Sequence, residues 1–377
     1  MNRTVAVNTR LLLKDRLEGI GRFTYESLFR LCKDHPEINF HFIFDRPYAE
    51  EFIFSDNITP IVIGPPARHP LLYYIWFEWA LPRLLKRNKY DLFLSPDGYL
   101  SLNTDVPSLP VIHDLNFEHF PQYLPKLERW YYRHFFPKFA HKATRIATVS
   151  QFSKRDISQT YNISPEKIDV VYNGVDASFA PLTEAEKQVV RNTYTEGEPY
   201  LLYVGSLNPR KNLKNLLEAF LSLKEKKHSA FKLLLVGAEM WNNELKTQFK
   251  SKNLKDVIFT GRLPDDQLKK VLAAATVLVN VSLYEGFGIP IIEAFRSGVP
   301  VLSSNSSGLA EVGGNAALQV NPSSVSSIEE GMARLIYNQA LRTSLTCRGE
   351  QRAGDFTWES TAARLWGSME KIFQAGS

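Results

Sequence analysis

Short apolar runs and amphipathic stretches alternate along the whole chain. Thr4–Asn8, Asn39–Phe44, Ile58–Ile63, Asp91–Ser95, Leu109–Ile112, Thr144–Val149 and Asp169–Tyr172 are rich in β-branched and aromatic residues and read as strands. Between them, Ile20–Asp34, Pro70–Lys86, Pro125–His141 and Phe152–Tyr161 carry apolar residues at helical spacing; in the first, Ile20, Phe23, Leu28, Leu31 and Cys32 share one face. Several strands are apolar on both faces, as in a parallel sheet covered by helices on each side.

The pattern then pauses and resumes. Asn173-Gly174-Val175-Asp176 is a turn signal, and the polar stretch after it, with one proline, predicts a hinge. Strands follow at Tyr200–Val204, Phe231–Val236, Val257–Thr260, Ala274–Val281, Val299–Ser303 and Ala316–Val320. Helices are expected over Asn212–Lys224, Trp241–Lys252, Pro264–Ala273 and Ser324–Arg348, with a last one running to about Phe373. The fold class is therefore α/β: a first doubly wound domain over 1–176, a linker over 177–199 and a second domain over 200–356, facing each other across a cleft.

Composition narrows the picture. With 377 residues, 44% of them hydrophobic, the chain can fill two cores. A net charge of +5 permits an anionic ligand or membrane surface without requiring either, and no nucleic-acid partner is expected. Cys32 and Cys347 are the only cysteines, which speaks against a disulfide framework and for a reducing, cytoplasmic setting. No apolar run is long enough to cross a bilayer, so any membrane contact would be peripheral. Two aromatic and basic stretches, 68–89 and 126–145, could rest on an anionic membrane; an aromatic stripe at helical spacing is more often core.

The chemistry concentrates in Ser282-Leu-Tyr-Glu285-Gly286-Phe287-Gly288-Ile289-Pro290-Ile-Ile-Glu293. Glycines between a strand and a helix start let a ligand approach the backbone, and amides at a helix start favour anions. If Glu293 lies in the first helical turn, it and Glu285 face one crevice. Carboxylates repel phosphate but accept hydrogen bonds from hydroxyls, which suits a ligand with sugar hydroxyls on either side of a phosphate. A second basic turn, Gly205-Ser206-Leu-Asn-Pro209-Arg210-Lys211-Asn212, places Arg210, Lys211 and Lys214 at a helix start, where the dipole disfavours each cation by about 0.3–1 kcal/mol. A bound pyrophosphate would turn that repulsion into attraction. The alternative is a solvated basic patch. His113-Asp114-Leu115 ends an apolar strand, and His113 alone reads equally well as a satisfied core histidine. Glu18-Gly19-Ile20-Gly21-Arg22 lacks the third glycine of a dinucleotide fingerprint, since Thr24 stands there. No metal-ligand spacing is found.

The run from Glu285 to Glu293 resembles the Glu-x7-Glu signature of retaining GT-B glycosyltransferases, particularly family 4 with its E-G-F-G-x-P-x-x-E-A pattern. That resemblance implies a GT-B fold of two Rossmann-like domains, with the final helix, 357–377, crossing back to the first. It implies that Glu285 holds donor-sugar hydroxyls and Glu293 the nucleotide ribose. Arg210 and Lys211 match the family's phosphate-binding turn, although Ser206 stands where many relatives carry arginine. Gly19 and Gly21 resemble a loop that approaches donor phosphates and acceptor, and His113 resembles a histidine beside the transferred sugar. Ser303–Gly313 resembles the family's G-x-P-E-V stretch, with Ala310 replacing proline and Glu311 expected to cap the turn.

The implied activity is metal-free, cofactor-free, retaining hexosyl transfer from a nucleotide-diphosphate sugar to a glycan or lipid-linked acceptor in bacterial polysaccharide synthesis. GDP-mannose ranks first as donor and UDP-sugars second. A nucleotide-sugar 2-epimerase of the same fold and a non-catalytic sugar-nucleotide-binding scaffold are the alternatives.

Overall fold

The structure, a computed structural model, describes residues 3–14, 17, 19–227, 230–237 and 254–375. The chain divides into two compact units, one made of 1–174 with 358–377 and the other of 175–357.

In the first unit, five parallel strands lie in the order β3-β2-β1-β4-β5. They are β1 (Thr4–Asn8), β2 (Asn39–Phe44), β3 (Ile58–Val62), β4 (Leu92–Ser95) and β5 (Ser108–Pro110). A parallel pair, β6 (Ile146–Thr148) and β7 (Ile168–Val170), continues the array through a bridge between Val111 and Ala147. Val5, Val7, Phe40, Phe42, Leu92 and Leu94 are buried on one face, against Phe23, Leu28 and Leu31 of the helix Gly19–Asp34. Each such side chain contributes roughly 1.5–3 kcal/mol when fully buried. The last helix, Trp358–Ala375, returns to this same core: Leu365, Met369 and Phe373 are buried in it, and Glu359 pairs with Arg30 at 2.8 Å.

Six parallel strands form the second unit's sheet, in the order β10-β9-β8-β11-β12-β13. They are β8 (Tyr200–Val204), β9 (Lys232–Val236), β10 (Val257–Gly261), β11 (Val277–Asn280), β12 (Val301–Ser304) and β13 (Ala317–Val320). In both sheets the chain starts in the middle, builds outward one way, then returns to build the other way. The strand order therefore reverses between β1 and β4, and between β8 and β11. A crevice opens outside the carboxyl ends at such a reversal.

Some expectations need correcting. The linker expected over 177–199 contains a helix, Glu184–Thr195, in the second unit, closed by a reciprocal cap: the Thr183 hydroxyl accepts from the Glu186 amide at 3.3 Å, and the Glu186 carboxylate accepts from the Thr183 amide at 2.8 Å. Its polarity hid it, because most of its surface faces water. The helical stretch expected over Ser324–Arg348 consists of two helices, Val325–Tyr337 and Gln339–Ala353, so it runs a little further than expected; they are divided at Asn338, whose side chain caps the second by accepting from the Leu341 amide at 2.9 Å. The helix expected over Trp241–Lys252 lies outside the described residues, as does Glu18.

Candidate active site

The second unit's reversal point gathers residues far apart in sequence. The loop after β8 carries Gly205, Ser206, Arg210 and Lys211; the loop after β11 carries Ser282 to Gly288. Arg210 and Lys211 lie in a tight turn, Pro209–Lys211, whose amide at Arg210 donates to the Asn208 side chain at 3.0 Å. Asn212 follows with φ of 63°, and its amide group donates to the Val281 carbonyl at 2.9 Å and to the Pro322 carbonyl at 2.7 Å. One side chain thus pins the basic turn to the end of β11.

Between the loops lies a buried carboxylate. Glu285 accepts from the Arg210 guanidinium at 3.2 Å and from the Ser282 hydroxyl at 3.0 Å, and it pairs directly with the Lys211 ammonium. Arg210 also donates to the Tyr284 carbonyl at 2.9 Å. Burial alone would push the Glu285 pKa up; the charges of Lys211 and Arg210, with the hydrogen bonds from Lys211 and Ser282, outweigh it and hold the value below the usual glutamate range. Glu285 thus offsets the crowding of Arg210 and Lys211 at this turn, where the sequence shows only cations. Both cations converge on this one carboxylate.

The turn that aims Glu285 is braced from β12's side. The Gly308 amide donates to the Glu285 carbonyl at 2.9 Å, and a Cβ at Gly308 would lie 2.2 Å from the Gly286 carbonyl oxygen. Gly288 adopts φ of 114° just before the helix Ile289–Arg296, where a Cβ would meet Leu309 at 2.5 Å. Phe287 is buried edge-on against Phe356 at 5.5 Å. The condition that Glu293 lie in the first helical turn is not met: it is the fifth residue of the helix that begins at Ile289, half-buried. Glu311 sits inside the helix Ser307–Gly313 rather than at its cap. Ser206 is half-buried, and its carbonyl accepts from the Tyr203 hydroxyl at 2.8 Å.

His113, Gly19 and Gly21 belong to the first unit. Nε2 of His113 lies 2.8 Å from the Pro96 carbonyl oxygen, which can only accept, so Nε2 carries the proton and Nδ1 is the acceptor nitrogen of the neutral ring. Burial lowers the ring's pKa, against smaller opposing effects of that hydrogen bond, Asp114 and Asp97. The edge of Phe23 packs on the imidazole at 5.1 Å. Gly19 and Gly21 do not form the expected loop. They open the helix Gly19–Asp34, and Gly21 is buried where a Cβ would come within 2.9 Å of the Leu11 carbonyl oxygen.

A second polar cluster went unnoticed in the sequence. At the first unit's own reversal point, Arg10 pairs with Asp97 at 2.6 Å, and the Asn8 amide group donates to the same carboxylate at 2.8 Å. The signal available was positional: polar residues directly after the first and fourth strands. Among the described residues, no cluster of three His, Cys, Asp or Glu side chains could hold a metal ion.

Comparison with known proteins fits this geometry. Residues 18–179 match the family Glycosyltransferase Family 4, and residues 184–352 match Glycosyl transferases group 1. The chain is 30% identical over 363 residues to the O-antigen chain mannosyltransferase B of Escherichia coli, covering 92% of this chain and 94% of that protein. The chain belongs to glycosyltransferase family 4. This family 4 enzyme is likewise 30% identical to the O-antigen chain mannosyltransferase RfbU of Salmonella typhimurium, over 73% of this chain and 74% of that one. Its fold matches HepE of Anabaena, solved in complex with UDP-glucose, with a TM-score of 0.74 at 17% identity, covering 98% of this chain and 99% of that one. The fold is GT-B, and the enzyme is a hexosyltransferase.

Proposed function

We propose that this chain is a retaining, metal-independent mannosyltransferase. It moves mannose from GDP-mannose to a glycan or lipid-linked acceptor in bacterial polysaccharide synthesis. The observation that carries the reading is the meeting of Arg210, Lys211 and Glu285 at one strand-order reversal. The mannosyltransferase names of the relatives favour mannose, whereas the UDP-glucose held by the Anabaena protein keeps UDP-sugars second.

In this mechanism the donor diphosphate replaces Glu285 as partner of Lys211 and Arg210. Glu285, released, accepts hydrogen bonds from hydroxyls of the hexose, and Glu293 accepts from the ribose. The bond from C1 to the diphosphate oxygen breaks on the face where the acceptor oxygen bonds to C1, and the acceptor's proton passes to the departing phosphate. The growing negative charge is met by Arg210, Lys211 and amides of the Gly286–Ile289 turn. A donor of that kind is worth about 2.7–4 kcal/mol to the transition state. Neutral His113, its Nε2 proton held by the Pro96 carbonyl, accepts from a sugar hydroxyl at Nδ1 and acts neither as nucleophile nor as base.

A membrane contact for the first unit belongs to the same proposal. Of the aromatic helices, Trp76, Phe77, Tyr131 and Phe139 are buried in the core, while Leu71, Trp79 and Trp130 are 62%, 53% and 56% exposed. Arg83 lies over Trp79 at 5.6 Å. Exposed rings flanked by bases suit the interface of an anionic bilayer. Among the described residues, no helix is long and apolar enough to cross a membrane.

The test is transfer from GDP-mannose, UDP-glucose and ADP-glucose to a lipid-linked glycan acceptor, with and without a chelator, followed by NMR of the product. The expected result is chelator-insensitive mannose transfer with the donor's anomeric configuration kept. An inverted product removes the retaining mechanism, chelator sensitivity removes metal independence, and donor turnover without acceptor replaces transfer with epimerisation. Sedimentation with anionic vesicles tests the membrane contact; no lipid-dependent binding removes it.

A further inference from the structure

The Asn8–Arg10–Asp97 cluster lies directly behind the carbonyl that holds His113. Asp97 is nearly enclosed, its side chain 4% exposed, and both carboxylate oxygens are used. Oδ2 accepts from Arg10 Nε at 2.6 Å; Oδ1 accepts from Asn8 at 2.8 Å, from the Ser95 hydroxyl at 3.1 Å and from the Tyr99 amide at 3.3 Å. These contacts close the turn Ser95-Pro96-Asp97-Gly98, in which the Gly98 amide donates to Ser95 at 3.2 Å and Gly98 has φ of 84°. The turn's middle carbonyl, at Pro96, is the one that meets His113 Nε2. Arg10 is itself fixed: it donates to the Ala67 carbonyl at 3.2 Å, and its guanidinium lies 4.3 Å from the Tyr99 ring centre and 5.2 Å from that of Tyr73.

So dense a set of bonds over-determines a four-residue turn, and the one group of that turn directed at a candidate site residue is the Pro96 carbonyl. From this, the geometry points to Asp97 as a positioning residue. Clamped by Asn8 and Arg10, it fixes the Pro96 carbonyl and through it the orientation and tautomer of His113, keeping Nδ1 as the acceptor nitrogen. The inference rests on the reading in which His113 meets the transferred sugar, but its structural half stands without it. An imidazole with an unfixed partner would divide between two tautomers, of which only one offers an acceptor at Nδ1.

The experiment uses the full-length chain labelled with 15N-histidine, with the His113 signals assigned by their loss in His113→Gln. At neutral pH the unmodified protein should show a single ring form protonated at Nε2. Asp97→Asn should give a mixture of tautomers and lower kcat at least tenfold, with donor KM changed less than twofold. Asn8→Ala keeps the Arg10–Asp97 ion pair and should do the same to a smaller degree; it carries the test if Asp97→Asn does not fold. A mixed ring with unchanged kcat supports the positioning role and removes His113 from the transfer reading. An unaltered His113 tautomer in the folded variants overturns the proposal.

Discussion

Both units place a cation and a carboxylate at the same topological point, one from the loop after the first strand and one from the loop after the strand beyond the reversal. In the first unit the pair is Arg10 with Asp97, with side chains 7% and 4% exposed. In the second, Arg210 and Lys211, each 17% exposed, share Glu285, 12% exposed. The difference lies in stoichiometry and access. One cation against one carboxylate, roofed by aromatic rings, is neutral and closed, and so serves as a fixed part of the scaffold. In the second unit two cations share one carboxylate at a strand end, and the proposed function has an anionic ligand take that carboxylate's place. The same topological point thus holds a closed brace in one unit and, on the proposed function, a diphosphate cradle in the other.

Removing one partner should break the two pairs in opposite ways. Arg10→Ala leaves Asp97 buried without its counter-charge, and should cost about 3–5 kcal/mol of stability. Thermal or urea unfolding that follows each unit separately would show the loss in the first unit. Lys211→Ala leaves Glu285 still paired with Arg210, so the second unit should keep most of its stability while transfer falls by about 100- to 1,000-fold. Similar stability losses for both variants would erase the contrast between brace and cradle.

Acid sharpens the comparison further. Glu285 has a folded pKa below its unfolded value near 4.5, so its contribution to stability is complete above that value and is lost as pH falls through the lowered one. Second-unit stability should therefore decline with acid from about pH 4.5 downward, and Glu285→Gln should flatten the decline. The smallest effect is expected far from either pair. Thr183→Ala removes the cap of Glu184–Thr195 and should cost the second unit about 0.5–2 kcal/mol without altering kcat.

What the sequence disclosed follows from how each feature is encoded. Parallel strands covered on both faces leave short runs dense in apolar and aromatic residues, so Thr4–Asn8, Asn39–Phe44 and Tyr200–Val204 could be read to the residue. Glu184–Thr195 buries little beyond Val190 and Thr195 and announces itself only through its Thr183 and Glu186 cap. The candidate site was legible in part because Glu285, Gly288 and Glu293 sit in one contiguous stretch. The pairing of Glu285 with Lys211, across 74 positions, was not. Arg10 and Asp97 are 87 positions apart, and only the strand order brings them together. Long-range ion pairs depend on topology, which no local pattern carries.

The central claim is that Lys211 and Arg210 hold a diphosphate whose place Glu285 keeps in its absence. Calorimetric titration of GDP into the unmodified protein, Lys211→Ala and Glu285→Gln tests it most directly. The account predicts that Lys211→Ala binds GDP at least tenfold more weakly, whereas Glu285→Gln binds it as tightly as the unmodified protein or more so, because a competing anion is gone. Equal affinities in all three, or a Glu285→Gln variant weakened as much as Lys211→Ala, would contradict it.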